Sequence, residues 1–396
     1  MNQTVGAAAA TSFDTPAQTA ARSRIQSIDA LRGLVMLLML VDHAREFFFL
    51  HAQVSDPMDV NEVTPALYLS RLAAHLCAPV FVALTGLSAW LYGAQRSRAD
   101  VSAFLFKRGL FLVVLELTLV SFAWTFALPP EKLYLQVIWV IGLSMIALAA
   151  LVHLPRAVLV ALGLAIVLGH NLVDPITVAP DEFGYIAWTI LHDRGLIDLP
   201  LGITAQTSYP LLPWIGVIAL GYSVGPWFAK DRDSGSRQRL LCALGIGLLV
   251  AFAALRAING YGEPVAWQAS ESVLRTAMSF FNLTKYPPSA DFVLFTLGIG
   301  TLLLAALERV PTTATGTLAI FGGAPLFFYL LHLYVLHLLN LGALYYAGAN
   351  QGSLFSVPNM GYVWLIAILL TPPLGLACAW FGRLKRRSPQ PWMRYL

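Results

Sequence analysis

The chain has 396 residues, of which 58% are hydrophobic and only 12% charged, with 25 Lys and Arg against 21 Asp and Glu and a formal net charge of +4. A soluble globular domain carries about twice that charged fraction, so the composition excludes one and puts the chain in the membrane class. The basic excess does not indicate nucleic acid, because Lys and Arg fall between apolar runs, as membrane topology requires. Cys77, Cys242 and Cys378 lie far apart and match no zinc, redox or disulfide spacing.

Residues 1–23 lack the continuous apolar core of a signal peptide and read as a disordered cytoplasmic tail. Ten runs follow that are long enough, at about 17–25 residues, to cross a bilayer as helices. They fall near 29–50, 67–93, 103–127, 134–154, 156–173, 209–229, 238–258, 290–309, 317–344 and 360–382. The expected fold is therefore all-α, a polytopic membrane helix bundle of about ten transmembrane helices. It forms one domain over 24–384, followed by a basic cytoplasmic tail at 385–396. Alternate connections collect Lys and Arg (Arg96, Arg98, Arg156, Lys230, Arg232, Arg309), and the positive-inside rule then puts both termini in the cytoplasm. Two long outer connections, about 174–208 and 259–289, contain "FGYIAWTILHDRGL" and "VAWQASESVLRTAMSFFNL". Such segments suit the membrane interface and are placed to roof a pocket opening outward.

Ionisable residues inside a span are functional candidates by default. In "RGLVMLLMLVDHARE", nine apolar residues separate Arg32 from Asp42 and His43. Eleven residues along a helix raise His43 about 16 Å above Arg32 and bring it back to the same stripe through Met36 and Met39. His75, with Arg71 one turn above it, His332 and His337 fall in the same outer half on other spans, and Lys285 and Tyr286 stand at the outer mouth of the eighth. Plainer readings exist. Arg32 can mark a helix end by pairing with Asp29, Lys285 can anchor an interface, and His153, His170 and His337 can be packing residues.

Moving an activated acyl group from cytoplasmic coenzyme A to an outer acceptor needs a cation for phosphate and an imidazole for the acceptor proton. Arg32 is the candidate for the coenzyme's charged end, with His332 as a second cofactor-binding candidate. His43 is the candidate base, and the apolar stretch between spans the coenzyme's thin arm. Asp42 is kept as a catalytic candidate, although it lies about 100° around the helix from His43 and does not orient it directly. Arg71, Lys285 and Tyr286 are the candidates for holding the acceptor.

The segments "RIQSIDALRGLVMLLMLVDHAREFF", "HLCAPVFVALTGLSAWL", "YPLLPWIGVIALGYSVG", "LTKYPPSADFVLFTLG" and "PLFFYLLHLYVLH" resemble, in order over roughly 24–345, the bacterial branch of the membrane family named after heparan-α-glucosaminide N-acetyltransferase. Arg32 and His43, with ten residues between, also match an Arg-x10-His signature of related integral-membrane acyltransferases. The resemblance implies a multi-pass enzyme of the inner membrane that takes acetyl groups from acetyl-CoA and places them on sugars or other small-molecule acceptors across the bilayer. It also implies a catalytic histidine in the loop after the first helix, where this chain has His51. His43 is the first choice as base, and His51 and His75 are its rivals. Two other classes stay open: a transporter using the buried His, Asp and Arg as a pathway, and a metal or haem protein ligated by His43, His75 and His332. No local His-x3-His or carboxylate–His pairing supports a metal, so none is expected. The partners expected are membrane lipid and the acceptor, with a homodimer possible and no nucleic acid.

Overall fold

The computed structural model describes residues 26–49, 58–388, 390 and 393. The N-terminal tail and His51 therefore lie outside the described residues. Helix α1 spans Gln26–Phe48. It is followed by α2 Pro65–Ala74, α3 Cys77–Gly93, α4 Arg98–Leu115, a π-helical segment Glu116–Val120, and α5 Ser121–Thr125. Then come β1 Lys132–Leu135, α6 Val137–Leu151, α7 Arg156–Gly169, α8 Tyr185–Leu191, β2 Leu196–Asp198 and β3 Thr204–Thr207. The chain continues through α9 Leu212–Val224, α10 Ser234–Ile258, α11 Val273–Phe280, α12 Ala290–Leu307, α13 Thr312–Gly322, α14 Pro325–Ala347 and α15 Met360–Arg387.

Among the described residues, six segments are long and apolar enough to cross a membrane: Pro65–Gly93, Arg156–Val173, Ser234–Ile258, Ala290–Leu307, Pro325–Ala347 and Met360–Arg387. Val137–Leu151 and Leu212–Phe228 are apolar but shorter. This is a multi-pass helical membrane protein. The expected run 317–344 is two helices, because the chain breaks at Gly323–Ala324 and restarts at Pro325, whose missing N–H costs nothing at a helix start. The basic C-terminal stretch is helical through Arg387, which puts Lys385 on the last turn of α15 rather than in a tail. The all-α expectation also missed a three-stranded sheet of order β1-β3-β2, with β1 parallel and β2 antiparallel to β3. Its strands are three or four residues long, too short to show an alternating pattern beside the neighbouring apolar runs.

Helix α1 lies at the centre, packed against α13, α14, α15, α12, α3 and α2. Lipid tails are as apolar as leucine, so helices in a membrane associate by close packing, and small residues allow the closest approach. A Cβ on Gly33 would lie 1.9 Å from the Leu318 carbonyl oxygen, and one on Gly322 1.8 Å from that of Asp29. The α1–α13 crossing therefore exists only with glycine on both sides. Gly86 and Gly221 do the same for α3 and α9, where added Cβ atoms would stand 2.1 Å from Ile218 O and 2.2 Å from Ala83 O.

The 259–289 connection is tied down, as a roof must be. Buried Arg256 donates to the carbonyls of Phe280, Val265, Ser279 and Asn282 at 2.8–3.1 Å. Glu263 accepts from Thr284 N at 2.9 Å and Ser289 Oγ at 2.6 Å. Burial raises the Glu263 pKa, and these hydrogen bonds oppose that rise.

Gly322→Val is expected to destabilise the purified protein by at least the 1–3 kcal/mol or so typical of overpacking, read as a lower melting temperature in detergent. Gly342→Val on α14 is the control, since nothing lies within 4 Å of a Cβ there. Equal melting of the two variants would contradict the close α1–α13 crossing.

Candidate functional site

Two cavities enter the bundle from opposite ends. The larger, about 1270 Å³, opens among the long connections and is lined by residues of α1, α2, the sheet and the 259–289 segment. The smaller, about 370 Å³, opens at the end that carries Arg32, Arg108 and Lys385. Val137, the first residue of α6, lines both. His43 lines the large cavity, while Met39, one turn below it on α1, and Tyr329 line the small one. The two cavities thus share a wall at Val137, with His43 on one face and Met39 and Tyr329 on the other.

The chemistry of that wall follows from two histidines. His332 Nδ1 lies 2.8 Å from the Phe328 carbonyl oxygen. A carbonyl only accepts, so this nitrogen carries the proton and, in a neutral ring, leaves Nε2 bare. His332 Nε2 lies 2.6 Å from His43 Nδ1, and the two ring planes differ by only 7°. His43 Nδ1 must therefore be the donor, and the lone pair of His43 falls on Nε2. A hydrogen-bond relay starting at a backbone carbonyl thus sets the tautomer of a cavity-lining imidazole, as a second partner does for many functional histidines. Trp124 stands edge-on to His43 at 5.1 Å between centroids, and Tyr329 does so at 5.9 Å. His332 is fully buried and lines neither cavity, so it stands behind His43, in the outer half where the sequence reading had placed it.

Asp42 points elsewhere. Its oxygens accept from Arg71 Nη1 at 2.7 and 2.8 Å and from Arg45 Nε at 3.1 Å. Arg45 also pairs with Glu46. Asp42 thus holds two guanidiniums in the floor of the large cavity, and its described hydrogen bonds leave His43 untouched. His75 sits at the break between α2 and α3, 1% exposed, against the Phe292 ring at 5.1 Å. Neither of its ring nitrogens has a hydrogen-bond partner among the described residues. It lines the large cavity, but nothing fixes its tautomer.

Lys285, Tyr286 and Arg71, the acceptor-binding candidates, all line the large cavity. The Lys285 ammonium lies 5.2 Å from the Tyr286 ring and 5.9 Å from that of Tyr209, within cation–π range. Tyr286 donates to the Tyr209 hydroxyl at 3.3 Å. Burial alone would raise the pKa of Tyr286. Lys285 and Arg71 more than offset burial and hold it below the usual phenol value, a sign of the positive potential here.

Arg32 is pinned by Asp29 at 2.7 Å, the Gly322 carbonyl at 3.1 Å and Ser88 Oγ at 3.1 Å. The helix-end pairing with Asp29 is therefore present, and the same guanidinium lines the small cavity. Tyr92 and Phe104, stacked at 4.1 Å, form part of that cavity's wall. His337 binds the Ala123 carbonyl, stacks on Phe126 at 3.9 Å and lines the large cavity, whereas His170 lies away from both cavities and binds the Pro288 carbonyl. Among the described residues no three His, Cys, Asp or Glu side chains converge as metal ligands.

Sequence reasoning missed Arg45, Trp124, Tyr329, Arg108 and Lys385. Trp124 and Tyr329 sit in apolar runs where an aromatic carries no signal of its own. Lys385 was read as part of a basic tail.

Residues 24–256, more than half of the chain, match the family model described as heparan-alpha-glucosaminide N-acetyltransferase, catalytic, and the chain belongs to this family of membrane acyltransferases. The match includes Arg32, His43, Arg71, His75 and Trp124, whereas Lys285, Tyr329 and His332 lie beyond it. No curated protein matches the chain.

Nitrogen-15 spectra of histidine-labelled protein are expected to show His43 protonated on Nδ1 and bare on Nε2. In His332→Phe that tautomer should no longer be fixed. The opposite tautomer in the unmodified protein would contradict the relay.

Proposed function

We propose that the protein takes an acetyl group from acetyl-CoA held in the small cavity and transfers it to a hydroxyl or amine of a sugar or glycan in the large one. The observation that carries this reading is the meeting of the two cavities at a wall occupied by an imidazole with its lone pair on Nε2. Neither cavity alone needs such a group. A reaction joining a donor from one side to an acceptor from the other does.

The small cavity suits the donor. Arg32, Arg108 and Lys385 lie at its mouth, where phosphates would sit, and Phe81, Leu112, Ile141 and Met145 give an apolar lining for a pantetheine arm. Met39 and Tyr329 close its inner end. Rotation of Met39, an unbranched and adaptable side chain, opens the way to His43. The positive-inside rule assigns this end to the cytoplasm and the large cavity to the far side of the inner membrane. The large cavity suits a polar, extended acceptor. Tyr134, Tyr209, Tyr286 and Trp124 offer ring faces, and Gln136, Gln206, Asn282 and Asn340 offer paired donors and acceptors.

In this account acceptor and thioester occupy their cavities together, so transfer is direct. His43 Nε2 removes the acceptor proton as the acceptor attacks, and His332 supports the charge that forms on the imidazole. Arg71 and Lys285 hold the acceptor from the outer side.

With radiolabelled acetyl-CoA and membranes containing the protein, label is expected to pass to an extractable glycan or sugar. His43→Ala should lower the rate about 10²–10⁴-fold, the usual contribution of a general base. Lys385→Ala should raise the KM for acetyl-CoA severalfold with kcat little changed, because it acts on binding alone. Equal transfer by wild type and His43→Ala would remove His43 from the mechanism, and absence of any transfer would remove the enzyme reading.

A further inference from the structure

Two buried donors in the dividing wall have no well-placed acceptor. Tyr329 is 3% exposed, and its hydroxyl has no hydrogen-bond partner among the described residues; nor has the indole N–H of Trp124. The indole N–H of Trp124 lies close enough to the Tyr329 oxygen to interact with it, but outside hydrogen-bond geometry. The phenol O–H thus has no acceptor among the described residues, and the indole N–H no well-placed one. Leaving one buried donor unsatisfied costs about 1–3 kcal/mol, and here two stand together, both edge-on to the same imidazole. Trp124 lines the large cavity and Tyr329 the small one, so an acceptor atom reached by both lies in the passage between them.

Neither side chain is loose. The indole of Trp124 stacks on Phe47 at 5.2 Å with planes 5° apart. The π-helical segment Glu116–Val120 precedes it, and the extra residue of a π turn rotates everything after it by roughly 100° relative to a continuous α-helix. That rotation carries Trp124 around the axis relative to an uninterrupted α4–α5 helix. Tyr329 follows Phe328, whose carbonyl begins the histidine relay, and its ring packs 5.7 Å from His332. Base and donors are thus fixed to one another before any substrate arrives, which is what electrostatic preorganisation demands.

We propose that the Tyr329 hydroxyl and the Trp124 indole N–H form the oxyanion hole of the reaction, binding the thioester carbonyl oxygen of the acetyl group. This inference rests on the acetyl-transfer reading above and adds two catalytic residues to it. The acceptor oxygen or nitrogen bonds to the carbonyl carbon while His43 Nε2 takes the acceptor proton. The carbonyl π electrons move onto oxygen, where the two donors meet the negative charge. As the double bond re-forms, the carbon–sulfur bond breaks, and the leaving thiolate recovers the proton from His43 to give the free thiol of coenzyme A. The uncharged donors Tyr and Trp suit this place, since a permanent cation beside His43 would discourage its protonation in the step that needs it.

The test uses the purified full-length protein and acetyl-CoA labelled with carbon-13 at the thioester carbonyl, so no acceptor has to be known. Bound to wild type, the labelled carbonyl stretch is expected at lower wavenumber than in free acetyl-CoA. In Tyr329→Phe, which removes a single oxygen, and in Trp124→Phe, the band should move back toward the free value, with dissociation constants changed no more than severalfold. Saturable binding to wild type with the same carbonyl frequency in all three proteins would overturn the oxyanion hole and leave the acetyltransferase reading standing. Absence of acetyl-CoA binding to wild type would overturn that reading and this inference with it.

Discussion

The hydrogen bond from His43 Nδ1 to His332 Nε2, set in turn by the Phe328 carbonyl, is the interaction on which the site depends. Without a second partner an imidazole in an apolar wall is free to exchange tautomers and tilt, and its lone pair has no fixed direction. With one, the carbonyl of a rigid helix dictates which nitrogen of another helix is basic. The partner is itself an imidazole and adds no net charge to the wall, whereas a carboxylate would bring a full charge into a low-dielectric place at a desolvation cost of several kcal/mol.

The nearby charges are arranged to avoid that cost. Asp42 neutralises Arg71 and Arg45, and Glu46 takes a further share of Arg45. In this way α1 carries ionisable residues along its length while presenting a neutral imidazole at the wall. The relay also joins α1 to α14, and the glycine crossing at Gly33 and Gly322 joins α1 to α13, whose last residue gives its carbonyl to Arg32. One helix thus carries both the guanidinium that lines one cavity and the imidazole that lines the other.

Much of this was legible in the chain itself. The apolar runs announced a helical membrane protein because lipid makes hydropathy nearly a structural rule. The spacing from Arg32 to His43 placed the two groups on one stripe because helical geometry is fixed, and each does line a cavity. What the chain does not reveal is tertiary. His332 gives no sign in sequence that it backs His43 across 289 positions. Trp124 reaches the wall past a π segment that no periodicity discloses, and the short sheet strands lie beside apolar runs that mask them. The break at Gly323–Ala324 was hidden for a related reason: Pro325 begins a helix as readily as it ends one, and composition alone does not say which.

The central claim is that donor and acceptor enter from opposite ends and meet at His43. A cryo-electron microscopy structure with a non-reactive thioether analogue of acetyl-CoA tests it most directly. The account expects the nucleotide end at Arg32, Arg108 and Lys385, with the arm rising past Met39 and its acyl end touching His43 at the wall. Coenzyme bound in the large cavity, or ending short of His43 with the wall still closed, would contradict it.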